Sequence, residues 1–205
     1  MIFNSNEEQG EETTEDAVTQ IILGGGEQPE EKLIGLIGEI SESSAGHVMG
    51  CLLNAAGGSF TVQPGEEMEE VEILISSGGG EVHSMFAMYD VMNLVKRGVN
   101  ISTLGTGHVA SAAVVILAAG TKGKRYITRN TRLMMHNCSS TYGGTTPMIK
   151  NSVRELERLQ EMMIQALADN SNLSKAEIYN MFSKNTDEYF SAEEALEMGL
   201  VDHII

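Results

Sequence analysis

The reading of the fold turns on Val99-Asn100-Ile101-Ser102-Thr103-Leu104-Gly105-Thr106-Gly107-His108-Val109-Ala110-Ser111-Ala112-Ala113-Val114-Val115-Ile116-Leu117-Ala118-Ala119. Val99–Leu104 has the β-branched, apolar character of a strand. Ala110–Ala119 has no polar face after its serine, so it reads as a helix buried on all sides. A strand that feeds a buried helix is half of an α/β unit. Working outward, Val82–Arg97 carries Val82, Met85, Phe86, Tyr89, Met92 and Val95 on one helical stripe, with Gly98 suited to the C′ position. Val71–Ile75 and Leu33–Ile37 read as strands, with helical spacing between them over Ala45–Ala55. Downstream, Arg132–Met135 is a strand and Pro147–Ala168 a long helix with Ile149, Val153, Leu156, Met163 and Leu167 apolar. Ser174 with Glu177 and Ser191 with Glu194 form capping boxes for two further helices, the last ended by Gly199. Strands alternating with helices predict an α/β fold with a largely parallel sheet.

The 205 residues suit one domain, with 41% apolar residues available for a core. The net charge of −16 is uneven. Residues 1–31 hold nine acids and no base, and Gly24-Gly25-Gly26 and Pro29 interrupt them. This segment is expected to be a flexible acidic arm, with gating or a pro-segment as alternatives, and residues 32–205 to be the domain. No basic face is evident, which excludes nucleic acid as an expected partner. The longest apolar run, Ala112–Ala119, is far short of the roughly 18–20 residues that span a bilayer. With two cysteines and no leader pattern, the chain is expected to be soluble and cytoplasmic.

Ser77-Gly78-Gly79-Gly80 follows a strand and opens a helix, where backbone N–H groups gather around anions. His83 stands where a dinucleotide fingerprint needs its third glycine. Gly120-Thr121-Lys122-Gly123-Lys124 lacks the first glycine and the final hydroxyl of a phosphate loop. None of His47, His83, His108, His136 and His203 pairs with another at i, i+3 or i, i+4, so no metal is expected. Cys51 and Cys138 read as buried small residues. Ser111 suits an N-cap and also a nucleophile; the segment alone favours the cap, and it lacks the Gly-x-Ser-x-Gly elbow of α/β-hydrolases. His136 at a strand end and Asp187 in a loop each read singly as structural.

Together, several segments occur in one family's order and spacing. They are Ile75–Asp90, Gly107–Ala113, Ala118–Tyr126, Met135-His136-Asn137, and Ser191–Ala195 through Gly199–Asp202. Residues 33–205 resemble ClpP, the proteolytic subunit of the Clp protease. The resemblance implies a crotonase-like spiral of ββα units with a protruding handle helix, here Pro147–Ala168. It implies Ser111 as nucleophile, His136 as general base, Asp187 as orienting acid, and the amides of Gly80 and Ala112 as the oxyanion hole. It further implies a homo-oligomer of stacked sevenfold rings that hydrolyses unfolded proteins within a chamber. An AAA+ unfoldase would be its partner, and the subunit itself would carry no cofactor.

Departures from the pattern are visible. Gly78 and Cys138 replace prolines, and Thr186 stands where many relatives have an arginine that pairs across rings. The loop Gly57–Glu70 is longer than typical. The unfoldase pocket falls on Glu72, Leu74, Leu94, Leu104, Thr106, Tyr126, Thr128 and Ile205, more polar than usual. Two other functions fit parts of the pattern: a non-catalytic structural subunit of a mixed Clp ring, and a crotonase-fold acyl-CoA enzyme without a nucleophile. The intact set of Ser111, His136 and Asp187 disfavours the first.

Overall fold

Two glycine-marked bends shape the sheet. In a computed structural model, which describes residues 32–57, 68–184 and 186–205, strands β1 (Lys32–Ile40), β2 (Glu69–Gly80) and β3 (Val99–Ala110) pair in parallel. Helices α1 (Glu42–Ala55) and α2 (Val82–Val95) connect them. The acidic arm and the Gly57–Gly65 loop expected from the sequence lie outside the described residues, apart from Gly57 itself. Gly38, with φ +87°, sits at a register shift between β1 and β2. Between β2 and β3, Ile75 faces Gly105 but Ser77 faces Val109, so β3 uses four positions where β2 uses two. Gly107, with φ +62°, lies within that excess.

The bend gives β3 two neighbours on one edge. Its first half pairs with β4 (Arg125–Ile127), and its end pairs with β5 (Arg132–Met135). The order β1-β2-β3-β4-β7 is parallel throughout, with β7 at His203–Ile204. Only β6 (Glu188–Phe190), which pairs with β5, runs antiparallel. The α/β fold with a mainly parallel sheet is therefore as expected. The sequence reading ended β3 at Leu104, because Gly105 and Gly107 interrupt its apolar pattern. β4, β6 and β7 span three residues or fewer, too short to show a period.

Helix α3 (Ala112–Ala118) is buried at every residue, as its composition requires. Its C-terminal carbonyls meet two cations: Lys96 Nζ donates to Ala119 O at 2.8 Å and Arg125 to Ala118 O at 3.3 Å. Burial, then the charge of Arg125, pushes the Lys96 amine down from its usual range. Arg125 is only 4% exposed and also binds Asp202 at 2.6 Å and Asn170 O at 2.5 Å. Positive charge at this end of α3 complements the helix dipole.

Helix α4 (Thr146–Asp169) starts and ends one residue beyond the expected handle. Its buried residues begin at Leu159, while Met148, Ile149 and Val153 on its first half are exposed. At about 1.5 Å per residue, its first thirteen residues extend roughly 20 Å. Helices α5 (Lys175–Ser183) and α6 (Ala192–Glu197) begin with the expected Ser174–Glu177 and Ser191–Glu194 capping boxes. A third box, Ser41–Ser44, opens α1 without the acidic residue that marks such boxes in a sequence. Two expectations fail. Gly98 is not left-handed; α2 ends at Val95 with Lys96 as its cap, and three-residue turns carry the chain onward. Cys51 and Cys138 are half-buried rather than enclosed.

Candidate active site

Parallel strands that stop at the same edge bring their following residues together, which is where open α/β sheets build sites. The end of β2 supplies Gly79 and Gly80, the end of β3 supplies Ser111, and the end of β5 supplies His136. β6 runs the other way, so its start faces the same edge and brings Asp187 there. The β5–β6 register pairs Met134 with Tyr189 and Met135 with Glu188. One step beyond the ladder, His136 and Asp187 are the next opposed pair.

Ser111 is the only non-glycine with positive φ among the described residues, at φ 55° and ψ −125°. Its N–H donates to Met134 O at 2.8 Å, and its carbonyl accepts from Val114 N at 3.0 Å. It stands at the N-cap position, yet its side chain makes no capping bond. Instead Ser111 Oγ lies 2.8 Å from His136 Nε2. The cap reading suggested by the segment alone is thereby corrected: the strained backbone turns the hydroxyl away from the helix. Such strain amounts to about 1–3 kcal/mol and persists only where the surroundings enforce it.

The enforcement comes from β2. A β-carbon on Gly79 would lie 2.7 Å from both Ala110 O and Ser111 Cβ, and 3.0 Å from Ala112 N. A β-carbon on Gly80 would meet Ile40 O at 2.3 Å. Gly79 has φ +90° and Gly80 φ +146°, both unsuited to other residues. Buried Ser77 holds the turn by accepting from Gly79 N–H at 3.1 Å. Gly78, where the resemblance leads to an expected proline, has open space around it.

The acid side is looser. His136 Nδ1 and Asp187 Oδ1 are 3.8 Å apart, an ion-pair separation rather than a hydrogen bond. Asp187 is 51% exposed and His136 31%. Thr186 donates to Glu188 at 3.2 Å, and Lys184 pairs with the other oxygen of Glu188 at 3.0 Å. The Lys184 hydrogen bond is the main cause holding the Glu188 carboxyl below its usual range. Cys138, two residues beyond His136, is no rival nucleophile, because burial pushes its thiol up and keeps it neutral.

His47 Nε2 and Cys51 Sγ approach to 3.7 Å on α1, but among the described residues no group of three His, Cys, Asp or Glu side chains can hold a metal ion. Sequence reasoning missed the hydrogen bonds that Ser77, Asn137 and Gln160 make around the site. No local pattern signals them, since each acts through a turn or a long-range contact.

A serine hydroxyl on a strained turn above a parallel sheet, within reach of a strand-end imidazole, defines the site class of a serine hydrolase. A family model, Clp protease, matches residues 26–205. The chain is 34% identical over 175 residues to ATP-dependent Clp protease proteolytic subunit 2 of Frankia casuarinae, covering 85% of this chain and 76% of that one. It is 36% identical over 180 residues to ATP-dependent Clp protease proteolytic subunit 1 of Tropheryma whipplei, covering 86% and 81%. The chain belongs to the Clp protease family and is a serine peptidase subunit of that family.

Proposed function

We propose that Ser111, His136 and Asp187 are the catalytic triad of this peptidase, with the amides of Gly80 and Ala112 as its oxyanion hole. The observation that carries the reading is the 2.8 Å contact between Ser111 Oγ and His136 Nε2, made by a serine that forgoes its helix cap. A serine hydroxyl attacks a carbonyl only as its proton leaves, and neutral imidazole takes that proton. The new C–O bond makes a tetrahedral oxyanion, which needs N–H donors already in place. Removing one such donor typically costs about 3–4 kcal/mol of transition-state stabilisation. The imidazolium then gives its proton to the departing amine, leaving an acyl-enzyme. Water, activated by the same imidazole, repeats the sequence and frees the serine. The cations behind α3 support the N-terminal end of that helix, beside Ala112, as the place for negative charge.

The domain is residues 32–205, with the acidic segment 1–31 outside it, and it acts in the cytoplasm. No helix among the described residues is long and apolar enough to cross a membrane. The subunits assemble into sevenfold rings that stack through the exposed strip of Met148, Ile149 and Val153. An AAA+ unfoldase delivers substrate, as the relatives' ATP-dependent names suggest. Leu74, Leu104 and Tyr126 are aligned across β2, β3 and β4 on a half-exposed sheet face, where an unfoldase loop would dock.

The test is labelling with a fluorophosphonate. A single adduct should map to Ser111 and vanish in Ser111→Ala and His136→Ala, with the assembly sized in parallel. A crotonase-type acyl-CoA enzyme or a non-catalytic subunit would give no adduct, and that outcome would sink the triad.

A further inference from the structure

Residues 139–158 lie almost entirely at the surface, from the end of β5 through the first half of α4. The neck of this excursion is closed by one side chain. Gln160 accepts from Cys138 N–H at 2.8 Å, and its amide nitrogen donates to Asn137 Oδ1 at 2.8 Å. Asn137 in turn donates to Phe182 O at 2.6 Å. Phe182 lies in the last turn of α5, where carbonyls lack partners within the helix.

These bonds sit where β5 and β6 part. The ladder ends at Met135 and Glu188, and His136 and Asp187 are the next opposed residues. One step further, Asn137 and Thr186 would face each other, but no rung forms there. Asn137 turns to Phe182 and Gln160, while Thr186 turns to Glu188. The chain on the histidine side is thus fixed by Asn137. The chain on the aspartate side leaves α5 at Ser183, four residues before Asp187. Asn137 joins these two branches directly, across the gap that sets the imidazole–carboxylate distance.

We infer that Asn137 and Gln160 are positioning residues for the hydrolytic reaction: their amide pair latches the neck of the 139–158 excursion and holds His136 opposite Asp187. This rests on the triad reading above. Without the latch, His136 keeps its place at a strand end but loses its fixed relation to the carboxylate. The step that suffers is proton delivery to the leaving amine. A nitrophenolate leaves without a proton, so acylation by an activated ester tolerates the misalignment, while deacylation, common to both substrates, still needs the imidazole.

The experiment uses the full-length assembled protein with a peptide anilide and a nitrophenyl ester of the same acyl group. Asn137→Ala removes both bonds of residue 137. Gln160→Glu keeps an acceptor for Cys138 N–H but sets two acceptors against each other at Asn137, so one of the bonds there is lost. Both variants should lose on the order of tenfold to a hundredfold in anilide kcat. KM should stay within about twofold, and the acylation burst of the ester should slow by less than about threefold. Unchanged anilide turnover overturns the inference. So does an equal loss on both substrates, which marks a general disturbance of the fold. If Asn137→Ala fails to assemble, Gln160→Glu decides by the same criteria. Ser111→Ala and His136→Ala separate the two readings. If either of these keeps anilide activity, the triad itself is wrong; if both lose it and the amide variants do not, only the latch is.

Discussion

Ser111 is surrounded by structure that admits no alternative. Its neighbours Ala110 and Ala112 are fully buried, and Gly79 presses against it without room for a methyl group. Asp187, two strands further along the chain, is half exposed and stands one step beyond a three-rung ladder, 3.8 Å from its histidine. The proposed nucleophile is positioned by steric exclusion, the proposed acid by a short ladder and its neighbours' hydrogen bonds at the surface. Steric constraint is rigid but strained. Hydrogen-bonded placement is unstrained and adjustable. A site built this way has one immovable end and one that tightens or slackens with its surroundings.

The largest effect is expected at the rigid end. Ser111→Gly should reduce amide hydrolysis by about 10⁴–10⁶-fold. It should also raise the melting temperature, since glycine relieves a strain of about 1–3 kcal/mol and returns only part of that as chain entropy. A lower melting temperature would mean that the serine turn is not strained. Asp187→Asn should lose about two orders of magnitude less activity than removal of the nucleophile, with little change in melting. An equal loss would show the acid end to be as rigid as the other.

Gly79→Ala comes next. A β-carbon there meets backbone on a φ of +90°, so about 3–5 kcal/mol of stability should be lost, read by denaturant unfolding. Behind α3, Asp202→Asn leaves buried Arg125 without its carboxylate and should cost about 3 kcal/mol at neutral pH. Burial pushes the Asp202 carboxyl up, but the hydrogen bonds and charge of Arg125, with the N–H groups of Gly123 and Arg125, outweigh it and hold it below its usual value. Below about pH 4 the unfolded chain therefore takes up a proton that the folded chain still refuses. The parent should lose this stability as pH falls through the depressed folded value, and the variant should lack that slope in an acid titration of unfolding. The smallest effect belongs to Gly78→Ala, which has open space and should gain at most about 1 kcal/mol.

The same division governs what the sequence revealed. The buried helix after Ser111 and the stripe of α2 are periodic over many residues, so the core on the serine side was legible. Ser111 itself was ambiguous, because an N-cap and a nucleophile look alike until the side chain's partner is known. The weight of the reading fell on the ClpP-like order of Ser111, His136 and Asp187. β6 has three residues and no period, so nothing local announced that Asp187 would face His136. Asn137, in the loop after β5, and Gln160, in α4, lie 23 positions apart, beyond the reach of any spacing rule.

The way Arg125 binds Asp202 also bears on when the molecule becomes active during its synthesis. These partners are 77 positions apart. At about 5–20 residues per second, Arg125 waits roughly 4–15 s for its carboxylate to be made. β5 likewise waits for β6 before Asp187 can meet His136. The serine turn and its helix form from segments translated earlier, so a nascent chain holds a shaped but acid-less site. With Asp187 as the proposed acid, competence waits until β6 has been made.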